Sequence, residues 1–277
     1  QRKLTAVKLT HEPRSVDARS HEKPRPKHTA GLAGWPSVRA QVCTNIKERV
    51  IFMLTSTPHR AARMERVLEN MRAQSRRPDA VILTIPKTYA RPPLSSLQYR
   101  LEQAIADDSL LQVHRIDQDA GPLTKYFGGL ALGRNSNDIV VVGDDDVWYD
   151  STFIEDFACA VASGAPNVVY SSGRDTSCGT ALGACVMGFR GISMRASMLL
   201  AIPSLSIPKE CFLADDVLVT HHFQSRGFTI KKLRTRRRYH IDAAFAWSNA
   251  SINVIHKQHN YEINRKCVEQ LIPRNPD

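Results

Sequence analysis

No apolar run in the 277 residues approaches the roughly 18 to 20 that a membrane-crossing helix needs, so no such helix is expected. The six cysteines (Cys43, Cys159, Cys178, Cys185, Cys211 and Cys267) include no CxxC pair, which disfavours a zinc ribbon. They are also too few, at this length, to define a disulfide scaffold. Cys178 and Cys185 could bridge in an oxidising compartment, but buried thiols account for them equally well. No internal repeat is visible and no second domain separates. An apolar signal-like segment is missing after Gln1. The compartment stays open: a secretory or Golgi lumen is expected if an upstream anchor was removed, and the cytoplasm otherwise. The sequon Asn249-Ala250-Ser251 is compatible with secretion.

What is present is an uneven positive charge of +11. Residues 1 to 49 hold 11 Lys/Arg and 4 Asp/Glu, against 27 and 23 in the remainder. That first stretch is polar, contains proline and lacks periodicity, so residues 1–48 are expected to form a basic disordered tail or linker. Aromatics for base stacking are nearly absent from it, which disfavours nucleic acid as its partner.

From Arg49 onward, short apolar runs alternate with helical patterns. "RVIFMLTST", "DAVILTIP", "LQVHRID", "DIVVVGD", "NVVYSSG" and "FTIKKLRT" read as strands. Pro58 opens an amphipathic stretch to Gln74, with Met64, Val67, Leu68 and Met71 at helical spacing. Further helices are expected over 121–132, in "STFIEDFACAVASG" with Asp150 or Ser151 as cap, in "ADDVLVTHHFQSRGF" and in "NYEINRKCVEQLI". The pattern in "GACVMGFRGISMRASMLLAI" is mixed. This alternation implies one α/β domain over 49–277, with a mixed, mainly parallel central sheet flanked by helices.

One of these strands runs into three adjacent carboxylates: "IVVVGDDDVWY" carries Asp144, Asp145 and Asp146. In open α/β sheets the ligand crevice lies beyond the carboxyl ends of the strands. On an extended segment Asp144 and Asp146 would face one side, with Asp145 turned away. Two clustered carboxylates suit a hard divalent cation, Mn²⁺ or Mg²⁺, with open positions for phosphate oxygens. A second acidic pair, Asp215 and Asp216, starts a helical stretch, where the helix dipole favours acids. Beside a metal–diphosphate site, one of the pair becomes a candidate general base for an acceptor hydroxyl.

The order "LTSTPHR", "DAGPLTKY", "IVVVGDDDVWY", "GFRGISM", "ADDVLV" and "INRKCVEQL" resembles glycosyltransferases of the A-type nucleotide-sugar-binding fold, over roughly residues 49 to 270. More narrowly, it is similar to the family-2-like branch of bacteria, algae and large algal viruses. The resemblance implies transfer of a sugar from a nucleoside diphosphate, a UDP-sugar being favoured, to a glycan or other hydroxyl, with inversion. It assigns Thr55, Ser56, Thr57 and Arg60 to the base and ribose, Asp119 to the nucleotide and Lys125 to the diphosphate. Asp144 and Asp146 would address the metal, Asp144 and Asp145 the sugar nucleotide. Gly188, Phe189, Arg190 and Gly191 would line the sugar and acceptor. Asp216 is the first choice of base and Asp215 the second. Many such enzymes use a late histidine as a third metal ligand, here His240, with His256 and His259 as further options. The basic run "KKLRTRRR" (231–238) could meet an anionic acceptor or membrane surface, or be a solvated edge strand. Two rivals remain: a nucleotidyltransferase of related fold, disfavoured because "LTSTPHR" has no glycine, and a non-catalytic module binding glycan or nucleic acid.

Overall fold

In the computed structural model, residues 35–272 are described apart from 44, 91–99, 134–136, 176–177, 179–181, 201, 203–204, 237–239 and 242–259. The runs with no polar alternation become central strands: β2 (Val50–Thr55), β3 (Ala80–Pro86) and β5 (Ile139–Val142). Both faces of these strands are covered, which is why apolar side chains occupy successive positions. Ile51 and Met53 of β2 enter one core, and Val50, Phe52 and Leu54 the other.

The sheet is completed by β1 (Ser37–Arg39), β4 (Leu111–Ile116), β7 (Val168–Ser171), β10 (Ile192–Arg195) and β11 (Thr229–Arg234). Its order is β1-β11-β7-β10-β5-β2-β3-β4. All neighbours are parallel except β10, which runs antiparallel between β7 and β5. This is the mixed, mainly parallel sheet that the alternating runs imply. Two small ribbons lie beside it, β6 (Val147–Trp148) with β12 (His240–Ile241), and β8 (Arg174–Asp175) with β9 (Cys185–Val186).

One core packs under α1 (Met64–Arg72) and α3 (Phe153–Ser163). From α1 it takes Met64, Val67, Leu68 and Met71, each worth roughly 2 kcal/mol of burial. The other core takes the 3-10 turns of Gly121–Leu132 together with α4 (Asp215–Ser225) and α5 (Asn260–Leu271). A single turn, α2 (Gln103–Ala106), precedes β4.

Local details depart from the sequence expectations. Pro58–Arg63 is a 3-10 segment, so α1 begins only at Met64. Asp150 does not cap α3 directly. It accepts the Thr152 N–H in the turn before the helix, and Thr152 is the capping position. The mixed stretch after Gly183 contains β9, a 3-10 turn at Gly188–Arg190 and β10, each too short to leave a period.

Two features lie within the stretch read as tail: β1 pairs with β11, and Cys43 bridges Cys159 of α3. The cysteine expectation is corrected more broadly. Cys178–Cys185 is bonded, the bridge that the sequence left open beside buried thiols, and so is Cys211–Cys267, so that no cysteine is free. Two of the bridges join residues 116 and 56 apart in sequence, pairings that only the folded chain brings together. The basic run is only partly a solvated edge. Its Arg236 binds Glu155 and the buried Asp156, fastening α3 from the other side.

Intact mass measured without reductant should therefore lack the six hydrogens that three disulfides remove. Replacing Cys211 and Cys267 together by serine should lower stability by about 2–4 kcal/mol in urea melts.

Candidate active site

Strand β5 delivers the three aspartates through Gly143. A Cβ there would lie 2.4 Å from the Tyr149 hydroxyl and 2.8 Å from the Phe52 ring, so only glycine passes. The expected alternation of the carboxylates does not hold. It belongs to extended chain, and the chain turns at Asp145 and Asp146 before entering β6. Asp144 Oδ1 instead accepts from Lys125 Nζ at 2.7 Å. Asp145 accepts from Ser56 Oγ at 2.6 Å and Arg60 Nη1 at 2.7 Å. Asp146 Oδ2 pairs with Arg60 Nη2 at 3.1 Å. The Asp145 side chain is closed off at 3% exposure, whereas Asp144 and Asp146 keep 29% and 21%.

Lys125 reaches this turn from the opposite face of the sheet. Its ammonium is buried and also lies 3.0 Å from Asp215 Oδ2, as an ion pair without hydrogen-bond alignment. Burial alone would lower its pKa; Asp144 and Asp215 overcome that and hold it well above its ordinary value. The next residue, Asp216, accepts the Gly188 N–H at 2.8 Å. Burial, then the charge of Asp215, push its carboxyl well above the usual range, against Lys125 and that N–H. Burial likewise raises Asp146 to about 6, with Arg60 opposing and Asp145 and Asp144 adding. Arg60 is raised too, since Asp145 and Asp146 outweigh its desolvation.

The other expected residues divide into those at this turn and those beside it. Thr55 ends β2, Ser56 anchors Asp145, and the buried Thr57 Oγ1 has no hydrogen-bond partner. Asp119 holds backbone, accepting the Ala90 and Gly121 N–H groups at 2.9 and 2.8 Å. Gly188 lies against the acids, since a Cβ there would come within 2.8 Å of Lys125 Nζ and 3.2 Å of Asp216 Oδ1. Gly191 has φ +89°, and a Cβ on it would strike Phe153. The Phe189 carbonyl faces Tyr149, and the Arg190 guanidinium lies 5.7 Å from the Phe189 ring. His240 pairs by backbone with Trp148, two residues beyond Asp146. His256 and His259 lie outside the described residues. Among the described residues no three His, Cys, Asp or Glu side chains gather as a metal cluster. A shallow open pocket beside the turn is lined by Arg63, Arg66, Asp145, Asp146 and Trp148.

Two residues here escaped the sequence reading. Tyr149 is fully buried, and its hydroxyl accepts the Asp144 N–H at 2.8 Å. Asn70 of α1 clamps the Tyr149 backbone, donating to its carbonyl at 2.8 Å and accepting its N–H at 3.0 Å. An aromatic in the strand-like "VWY" signals core, and an Asn inside an amphipathic helix signals nothing. Only the fold joins them.

No family model and no curated protein matches the chain by sequence. Solved structures do. Glucosyl-3-phosphoglycerate synthase from Mycobacterium tuberculosis, in complex with phosphoglyceric acid, superimposes with a TM-score of 0.55 at 13% identity, over 84% of this chain and 88% of that one. The same enzyme with Mn²⁺, UDP-glucose and phosphoglyceric acid gives 0.52 at 13%, over 80% of each. A mannosyltransferase from Pyrobaculum calidifontis, with GDP-mannose and Mn²⁺, gives 0.46 at 14%. Of that protein this chain spans 60% of the length and is itself covered over 73%. The fold is that of the A-type glycosyltransferases. In this A-type fold the two acidic groups stand beyond the sheet's carboxyl ends, joined by Lys125.

Lys125→Met should cost about 3 kcal/mol near ~pH 8, because it strands the buried Asp215 without its cation. The deficit should shrink toward ~pH 5. Asp216 already binds its proton more tightly folded than unfolded, so its contribution is present at low pH and lost as pH rises through its folded pKa. Removing Lys125 raises that pKa further. Urea melts of both proteins across this range measure the effect.

Proposed function

We propose that the protein is a divalent-metal-dependent glycosyltransferase, moving a sugar from a nucleoside diphosphate to an acceptor hydroxyl with inversion. The observation that carries this reading is the pair of acidic groups bridged by one buried lysine. The first group suits a metal and a diphosphate. Asp144 and Asp146 each commit one carboxylate oxygen to a protein cation, and both side chains stay partly exposed. Hard carboxylate oxygens in this number fit Mn²⁺ or Mg²⁺, whose remaining positions go to phosphate oxygens and water. When bound, the cation supplies charge that makes the diphosphate a better leaving group. His240 remains the proposed third ligand, on the ribbon beside Trp148.

The second group suits proton abstraction. Lys125 neutralises Asp215 directly, which leaves Asp216 as the base. A raised pKa makes its carboxylate the stronger base, and the Gly188 N–H fixes one of its oxygens. The acceptor's O–H proton passes to the other oxygen as the hydroxyl attacks the anomeric carbon and the C–O bond to the diphosphate breaks. Lys125, between the two groups, stabilises the charge that builds on the departing phosphate. Arg60 and the unpartnered Thr57 hydroxyl stand at the end of β2, on the nucleotide side.

Isothermal titration with Mn²⁺ and a panel of UDP, GDP and dTDP compounds is the direct test; absence of any metal-dependent nucleotide binding removes the reading. Asp146→Ala should abolish that binding. Asp216→Asn should bind donor normally and lose transfer by about a hundredfold or more; unchanged turnover would reassign the base.

A further inference from the structure

The buried phenol of Tyr149 does more than pack. Its ring lies stacked on Phe153 with centroids 4.0 Å apart and edge-on to Phe52 at 5.8 Å. Asn70 holds its backbone on both sides, so the hydroxyl has a fixed origin. That hydroxyl accepts the Asp144 N–H at 2.8 Å and donates to the Phe189 carbonyl at 3.2 Å. Phe189 sits in the same turn as Gly188, whose N–H holds Asp216. One oxygen atom thus links the backbone of the aspartate turn to the backbone that carries the second carboxylate. The other link between them, Lys125, is an ion pair that a bound diphosphate would compete for. The phenol link is uncharged, so it offers a diphosphate no charge to compete for.

We propose that Tyr149 is a positioning residue whose hydroxyl sets the spacing between Asp144, on the diphosphate side, and Asp216, which takes the acceptor's proton. The inference rests on the reading of the site as a glycosyltransferase centre. Burial explains the aromatic ring but not the hydroxyl, which a phenylalanine would replace at no loss of packing. Two surroundings are fitted to that oxygen. Gly143 makes room for it, since a Cβ there would lie 2.4 Å away. Gly191, at φ +89°, lets the turn that presents the Phe189 carbonyl return into β10 against Phe153.

Tyr149→Phe tests this, because it keeps the rings packed and removes only the bridge. Hydrogen exchange should quicken at the Asp144 amide and across residues 188–191, while β2 and β3 exchange as before. Donor affinity with Mn²⁺ should change little, whereas kcat for transfer should fall between about tenfold and a hundredfold from misplacement alone. Gly143→Ala, which pushes the same oxygen aside, should give the same split between binding and turnover. An unchanged kcat in Tyr149→Phe overturns the proposal, as does a loss of turnover matched only by a loss of folded protein. If the unsubstituted protein binds no nucleoside diphosphate, the glycosyltransferase reading itself fails and this inference falls with it. An active parent with an equally active Tyr149→Phe removes the inference alone.

Discussion

A buried ammonium between two carboxylates is the contact on which this structure turns. Taking Lys125 out of water is costly, and only the nearness of Asp144 at 2.7 Å and Asp215 at 3.0 Å makes its charged form stable there. The requirement constrains its surroundings. The 3-10 turns after Gly121 must place residue 125 at the carboxyl ends of the central strands, Gly188 must lack a side chain, and α4 must begin with acids. Each is satisfied by a different part of the chain, so the ion pair ties together segments that are remote in sequence. Breaking it would leave the buried Asp215 without compensation, which is the costly state rather than the loss of attraction itself.

The scaffold around that contact is fastened more heavily on one face. Helix α3 carries Phe153 and Phe157 beneath the aspartate turn, and it is held at both ends of its neighbourhood. Cys159 is bonded to Cys43, and the buried Asp156 accepts from the Arg236 main chain and guanidinium. On the other face Cys211 stands four residues ahead of Asp215 and is bonded to Cys267 of α5. Cys178–Cys185 closes the hairpin just before Gly188. Both segments that surround Asp216 are therefore covalently stapled. Disulfides in this number form where thiols are oxidised.

Much of this was legible in the sequence where a single segment carries the signal. The strands of unbroken apolar residues, the helix over Met64 to Met71 and the strand-end position of Asp144 to Asp146 all follow from local pattern. What failed was pattern extended past its range. Alternation along a strand does not survive a turn, so the division of the three aspartates came out differently: Asp145 and Asp146 share Arg60, and Asp144 turns to Lys125. Strand β1 sits in a polar context because an edge strand needs one partner and little burial. The cysteine pairs span up to 116 residues, and no local rule relates such positions. Tyr149 was invisible for a different reason: its ring belongs to the core and only its oxygen belongs to the site.

The charges at the site explain why the two acidic groups depend on each other. Five carboxylates, Asp144 to Asp146 with Asp215 and Asp216, face Lys125 and Arg60, with Arg63 adding its field at Asp146. Negative charge is in excess, and the excess is felt where burial is deep: Asp146 is pushed up to about 6, and Asp216 is held well above the ordinary range. A diphosphate entering this crevice adds more of the same sign. A cation of its own, or Lys125 drawn away from Asp215, would offset that charge. On the proposed reading both happen together, and the consequence reaches the base. If Lys125 turned toward phosphate, Asp215 and Asp216 would lose part of their compensation, and the Asp216 carboxylate would become the stronger base. On that reading, the ammonium that holds the two acidic groups together would also strengthen the base when a donor draws it away.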